Sequence, residues 1–445
     1  MKLNYLSLVG LALSCLYIVI SIFTMDLQFD ASNQLTRKFQ QQYGSVAYKT
    51  IFLIITYLGF PVIPCIPLIP LLVLKDKWVP FKICFLFALA SYIIGLNKII
   101  YGGPRPWWAE ADIKVFMQCS VTDYGRPSGH AFISLYAFLV LFQYYIYEDH
   151  SKSFAERVLT HEIEIEDYDY ERSSEESTPG TPYLDRQKKV QKVSTLQRPE
   201  ILEWSTGKTL WLATGIITCI LIGISRIYLG AHSFEQILLG WTYGIITYIV
   251  TAHWLDGKID SIILYFLDGR HRSRNLQILI MATTFYLLAL TLPIIILAAT
   301  DSARAASKQF WLANMIKQCG IYTEHNPIDA TSLYLCVTIA LPFAAVIGLM
   351  FAKTNIMITS ETLGLTKLIA RKLVAALMFT AIAGVFINLP KSGFVMFYLV
   401  NLNLSLFFVV MAGYLLLPKV YGWMRLSEGY HLEVTDKSTR LLNDD

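Results

Sequence analysis

Three short stretches of this 445-residue chain hold the side chains best suited to chemistry, and each adjoins an apolar run. Lys98-Ile-Ile-Tyr-Gly-Gly-Pro-Arg105-Pro106-Trp107-Trp108 closes one such run, with a Gly-Gly-Pro break that lets Arg105 fold back toward Lys98. Tyr124-Gly125-Arg126-Pro127-Ser128-Gly129-His130 opens another. Its Pro, Ser and Gly suit the first turn of a helix, where free N–H groups and the positive end of the helix dipole attract an anion. Ser225-Arg226-Ile-Tyr-Leu-Gly-Ala-His232-Ser-Phe-Glu235-Gln236 links two further runs. Guanidinium, ammonium and imidazole groups gathered at a helix N-terminus suit a tetrahedral oxyanion such as a phosphoryl group, with His as nucleophile or proton carrier.

Each stretch taken singly has an ordinary explanation. Lys and Trp at a membrane boundary snorkel to the headgroups, and for Trp107 and Trp108 that explanation stands level with a substrate role. Pro-Ser-Gly is also an ordinary helix cap, and a lone boundary His is more often a satisfied interfacial residue. The combination is harder to explain as packing. Arg or Lys at mid-membrane costs about 2.5–3.5 kcal/mol on insertion scales, and three such cations with two imidazoles fall on one expected side.

The elements that must carry these residues are membrane helices. Hydrophobic residues make up 55% of the chain and charged ones only 16%, proportions foreign to a soluble domain of this length. Ten runs approach the roughly 20 residues needed to span a hydrocarbon core: 4–25, 50–74, 80–101, 129–147, 208–227, 234–255, 276–299, 330–352, 368–389 and 394–417. The first is expected to be a retained anchor. Barrel-type alternation is missing, so the expected fold is an all-α polytopic bundle with a six-helix core.

Placing the N-terminus and every second loop on one side puts 25 of the 37 Lys and Arg there, which makes that side cytoplasmic. The three stretches then face a lumen or the exterior, in the endoplasmic reticulum, another endomembrane or the plasma membrane. A net charge of +4 is too small to argue for nucleic acid. The expected partners are a phosphate-ester substrate and membrane lipids. Cys119 and Cys319 fall in loops on the non-cytoplasmic side and are candidates for a disulfide, two free thiols being the alternative. The loop 300–329, with Arg304, Lys308 and Lys317, is expected to fold over the site or to be an unrelated solvated loop.

Residues 1–79 supply the first helices of the core, and 80–255 carry the three stretches. Within the latter, 148–207 turns acidic, then rich in Ser, Thr and Pro, then basic, and is expected to be a disordered cytoplasmic insert. Residues 256–418 form a four-helix membrane region of unknown use, and 419–445 a cytoplasmic tail.

In order and spacing, Lys98 with six residues before Arg105-Pro106, then Pro127-Ser128-Gly129-His130, then Ser225-Arg226 with five residues before His232, resemble the three-part signature of the type 2 phosphatidic-acid phosphatase and vanadium haloperoxidase superfamily. The resemblance covers about residues 80–250. It implies that His232 attacks phosphorus and that His130 acts as general acid and then base. It also implies that Lys98, Arg105, Ser128, the Gly129 N–H and Arg226 hold the phosphoryl oxygens, with no metal or other cofactor. The Asp common four residues after the nucleophile is Gln236 here, whose carbonyl can still accept the imidazole N–H, with Glu235 as an alternative carboxylate. Among branches, glucose-6-phosphatases are the most similar, through Trp-Trp after Arg-Pro, Ser-Arg-Ile-Tyr-Leu and the Gln; sphingosine-phosphate phosphatases come next. The implied activity is metal-independent hydrolysis of a lipid or sugar phosphate monoester. The alternatives are a phosphotransferase or an inactive protein of the same fold, with transport a distant third.

Overall fold

The computed structural model describes residues 5–59, 78–116, 123–143, 206–268, 275–320, 330–351, 365–389, 393–424 and 426. Helices account for the regular structure, and no strand occurs among the described residues. In chain order they are α1 (Tyr5–Gln42), α2 (Val46–Leu58), α3 (Trp78–Tyr101), α4 (Pro106–Ala109), α5 (Gly129–Phe142), α6 (Thr206–Tyr228) and α7 (Phe234–Val250). α7 runs through a π-helical turn, Thr251–Leu255, into α8 (Asp256–Asp268). Then follow α9 (Asn275–Cys319), α10 (Ala330–Leu335), α11 (Ala340–Phe351), α12 (Leu365–Ile387), α13 (Phe394–Met396), α14 (Asn403–Leu415) and α15 (Leu417–Trp423).

Among the described residues, five helical stretches are long and apolar enough to cross a membrane: Ser7–Gln42, Phe85–Ala109, Thr206–Tyr228, Leu276–Cys319 and Ile369–Phe386. Four shorter apolar helices accompany them. The chain is therefore an all-α, polytopic membrane bundle. Many large apolar side chains on α1 and α9, such as Phe23 and Met281, point away from the protein, as a lipid-facing surface requires.

Two helices outrun their apolar segments. α1 has 38 residues, about 57 Å at 1.5 Å per residue, and carries polar residues such as Asn33, Arg37 and Gln40 in its second half. α9 has 45, so residues 300–319 of the expected loop continue the helix instead of looping. Its Ala-rich run, from Ala298 through Ala305 and Ala306, propagates the helix once the apolar stretch ends. The insert 148–205 and residues 427–445 of the expected tail lie outside the described residues, while 206–207 open α6 and 419–423 belong to α15.

α5 and α7 pack closely because α7 presents small residues one turn apart. A Cβ on Gly240 would stand 2.6 Å from the Ser128 carbonyl oxygen, and one on Gly244 would stand 3.1 Å from that of Phe132. Such close backbone approach replaces the hydrophobic driving force that lipid does not supply between helices. Ile83, Leu86, Ala90, Ile94, Phe132, Tyr136 and Val140 fill the space between α3 and α5. The other face of α3 meets Leu333, Cys336 and Val337, and Tyr92 donates to the Ala289 carbonyl on α9 at 2.8 Å. α3 is thus the shared wall between the motif-bearing helices and the C-terminal ones. At its start, buried Lys82 pairs with Asp256 (2.8 Å) and Asp260 (2.6 Å), an arrangement in which removing any partner would strand a charge.

Candidate active site

The C-terminal ends of α3 and α6 and the N-terminal ends of α5 and α7 converge at one end of the bundle. Lys98, in the last turn of α3, is completely buried. After Tyr101 the chain turns through Gly102 and Gly103, and Arg105 becomes the residue that caps α4, with Pro106 at the first helical position. Arg105 thereby returns to Lys98. Both cations meet Asp123: its Oδ2 lies 3.0 Å from Lys98 Nζ, and its Oδ1 accepts from Arg105 Nη2. Arg105 Nε also donates to the Asp123 carbonyl at 2.9 Å, and Lys98 Nζ donates to that of Tyr124.

Ser128 caps α5, its hydroxyl accepting from the Ala131 N–H at 3.4 Å. A Cβ on Gly129 would meet only Lys98 Cε, at 3.6 Å, so the face of Gly129 turned toward Lys98 is free of other protein atoms within 4 Å. His130 follows in the same first turn, within electrostatic reach of Arg226, Asp123, Arg105, Lys98 and His232.

Arg226 lies in the last turn of α6, 1% exposed, with Nη1 donating to Thr56 Oγ1 of α2 at 2.9 Å. The helix ends at Tyr228, and Gly230, with a φ of +70°, reverses the chain so that the N–H groups of Ala231 and His232 fold back onto the Arg226 carbonyl at 3.0 and 3.3 Å. This local turn is what sets His232 beside Arg226. His232 Nδ1 stands 2.8 Å from the Gly125 carbonyl oxygen and 3.3 Å from Gln236 Oε1. Two acceptors at Nδ1 require the proton there, so Nε2 keeps its lone pair, and Nε2 lies 3.5 Å from Arg105 Nη1.

Gln236 ties the three stretches together. Its Oε1 accepts from the Ser233 N–H at 3.4 Å, its Nε2 donates to the Pro104 carbonyl at 2.8 Å, and its own carbonyl accepts from the Ser128 N–H at 2.9 Å. The carbonyl of Pro104 needs a donor, which an Asp carboxylate could not provide. Gly125 fits beneath this amide because a Cβ there would lie 2.5 Å from the Pro104 oxygen and 2.8 Å from Gln236 Oε1. Glu235 faces elsewhere: its carboxylate pairs with the buried Arg126 guanidinium, which lies over the Phe29 ring of α1.

Burial, then Arg105, Arg226 and Lys98, hold the His232 imidazole well below its usual pKa, in the neutral form that can attack. Burial works against the Asp123 carboxylate, but Arg105 and Lys98 outweigh it and keep the group ionised below the usual carboxylate range.

Lys98, Arg105, Ser128, Gly129, His130, Arg226, His232 and Gln236 therefore sit at one end of the bundle, whereas Glu235 joins Arg126. Trp107 and Trp108 are neither anchors nor open to a substrate: 1% and 0% exposed, they pack with Ile113, Tyr124, Trp311 and Met315. The extension of α9 secures this cluster. Asn314 donates to the Trp108 carbonyl at 2.8 Å and Gln318 to that of Trp107 at 3.1 Å. Arg304 caps the end of α3 through the Ile99 and Ile100 carbonyls, both at 2.8 Å, and lies over the Tyr124 ring. From α1, Arg37 pairs with Glu110 (3.1 Å) and Asp112 (3.2 Å). Cys319 is disulfide-bonded, and its expected partner Cys119 lies outside the described residues. Asp123 and Thr56 escaped the sequence reading, since each is one ordinary polar residue with no motif around it, whereas Arg304 was expected near the site but on a loop instead of a helix.

Buried cations and imidazoles gathered at the end of a membrane helix bundle mark a class of integral membrane protein whose site suits a phosphate ester. Consistent with that class, residues 80–260 match the family model described as the PAP2 superfamily. The match takes in all three stretches and less than half of the chain, and it implies phosphatase-type activity on phosphate esters. No curated protein and no solved structure matches.

Proposed function

We propose that the chain is a membrane phosphomonoesterase that works through a phosphohistidine, with its pocket on the non-cytoplasmic side of its membrane. The observation that carries this reading is the pinned imidazole of His232. Its Nδ1–H is committed to the Gly125 carbonyl and Gln236, which leaves the Nε2 lone pair beside Arg105.

A phosphate monoester enters with its oxygens on Lys98, Arg105, Arg226, the Gly129 N–H and the Ser128 hydroxyl. Nε2 of His232 attacks phosphorus and forms the P–N bond as the P–O ester bond breaks, and His130 gives its proton to the departing alkoxide. The negative charge of the bound phosphate offsets the surrounding cations, which lets His130 hold that proton before transfer. Water then attacks phosphorus and returns a proton to His130. The P–N bond breaks to restore neutral His232, and inorganic phosphate leaves. The cations hold charge that spreads over the equatorial oxygens during both transfers, the task metal ions perform in other phosphoryl-transfer sites.

The same reading divides the chain into a motif-bearing core of 80–255, preceded by the helices of 1–79 and followed by a C-terminal membrane region. It also pairs Cys319 with Cys119. Phosphate release by purified protein in EDTA, measured over sugar, lysophospholipid and sphingoid-base phosphates, tests both the activity and its substrate. Acid-labile, base-stable labelling of wild type that disappears in His232→Ala supports the intermediate. Ordinary turnover by His232→Ala overturns it.

A further inference from the structure

We infer that Asp123 is a positioning residue that aims Lys98 and Arg105 at His232 and sets the charge the pocket accepts. The inference rests on reading the pocket as a phosphate-ester site. One carboxylate bridges both cations, with Oδ2 3.0 Å from Lys98 Nζ and Oδ1 on Arg105 Nη2, and its side chain is only 14% exposed. The backbone carbonyl of the same residue takes Arg105 Nε at 2.9 Å, so Asp123 grips one edge of the guanidinium at two points. Ala231 takes a hydrogen from Arg105 Nη1 at 2.9 Å, and Tyr124 takes one from Lys98.

Counting donors shows what these acceptors leave. An ammonium has three hydrogens and a guanidinium five. With Asp123, Tyr124 and Ala231 satisfied, Lys98 keeps one donor and Arg105 keeps two, the second hydrogens of Nη1 and Nη2, and Nη1 stands 3.5 Å from His232 Nε2. The remaining Nη1 donor of Arg105 therefore stands beside the atom proposed to attack. Preorganised donors stabilise developing charge without reorganising during reaction, and a loosened lysine or arginine would lose that advantage.

Charge is the second consequence. Lys98, Arg105 and Arg226 contribute three positive charges, and Asp123 removes one, which leaves the pocket at +2 with both imidazoles neutral. A phosphate monoester dianion balances that charge. Without Asp123 the pocket carries one more positive charge and favours anions of higher charge.

The test uses the full-length protein in detergent, comparing wild type with Asp123→Asn and Asp123→Glu at matched melting temperature and monodispersity. Turnover is followed with p-nitrophenyl phosphate, and inhibition constants are measured for inorganic phosphate and pyrophosphate. Asp123→Asn should lower kcat about tenfold or more, and should shift inhibition several-fold toward pyrophosphate relative to phosphate. Asp123→Glu, which keeps the charge but not the reach, should lower kcat while leaving that inhibitor ratio near wild type. If Asp123→Asn does not fold, Asp123→Glu still decides, because unchanged kcat in that variant overturns the positioning role. Folded Asp123→Asn with wild-type kcat and tighter phosphate binding would mean that Asp123 merely occupies the pocket until substrate displaces it. A wild-type protein that releases no phosphate from any ester overturns the pocket reading and this inference with it.

Discussion

The site end of the core and the C-terminal helices are held together by different physics. Around His232 most contacts are hydrogen bonds from side chains to backbone carbonyls: Lys98 to Tyr124, Arg105 to Ala231, Gln236 to Pro104 and His232 to Gly125. Farther along, Tyr286 stacks on Phe343 with ring centroids 4.2 Å apart, and Phe386 stacks on Phe408 at 5.1 Å. Hydrogen bonds are directional, so the first region specifies geometry to tenths of an ångström. Aromatic packing tolerates exchange among apolar groups of similar volume, so the second specifies mainly that helices meet. α9 belongs to both: its first part packs among apolar neighbours, and its extension ends by holding the carbonyls of Trp107 and Trp108.

Substitutions should separate the two regions by the quantity that changes. His232→Ala should give the largest effect, a loss of about 1,000-fold or more in kcat, because it removes the proposed nucleophile. Gln236→Leu keeps the volume but removes the hydrogen bonds to His232 and Pro104, and should lower kcat by roughly 100-fold with a smaller change in KM. Thr56→Val, on a helix outside the matched segment, should cost about tenfold by freeing the Arg226 guanidinium, and an unchanged kcat would show that Arg226 needs no such support.

The pH profile offers a gentler probe. The depressed His232 pKa keeps its imidazole neutral as pH falls through 6.5, the ordinary value, so a limb of kcat/KM caused by its protonation should lie below that pH. Arg105→Gln removes a charge that disfavours the imidazolium and should move the limb upward. A limb that stays in place would assign it to another group. The smallest catalytic effect is expected from Phe343→Ala, which should lower thermal stability by about 1–3 kcal/mol while kcat and KM stay at wild-type values. A Phe343→Ala protein with lost turnover but an unchanged melting temperature would erase the contrast between the two regions.

The helical character of the chain was legible because apolar runs of about 20 residues have few other uses, and helix occupies most of the described part of every run. The three stretches stood out because cations and imidazoles are costly beside lipid. Helix ends were read less well. α1 and α9 pass well beyond residues 25 and 299, where apolar character fades but helix propensity does not. Trp107 and Trp108 looked like boundary residues because their burial depends on Trp311 and Met315, about 200 positions away.

By itself, then, the amino-acid sequence determined that this is a helical membrane protein, and which cationic and imidazole groups stand near helix ends. These are local properties, set by hydropathy, helix capping and short spacings. Only the tertiary structure decided that Asp123 bridges Lys98 and Arg105, that Thr56 holds Arg226, that Gln236 joins three separate stretches, and that Glu235 turns to Arg126. Each of those pairings is a choice among many polar partners, made by where whole helices end once their apolar faces have packed.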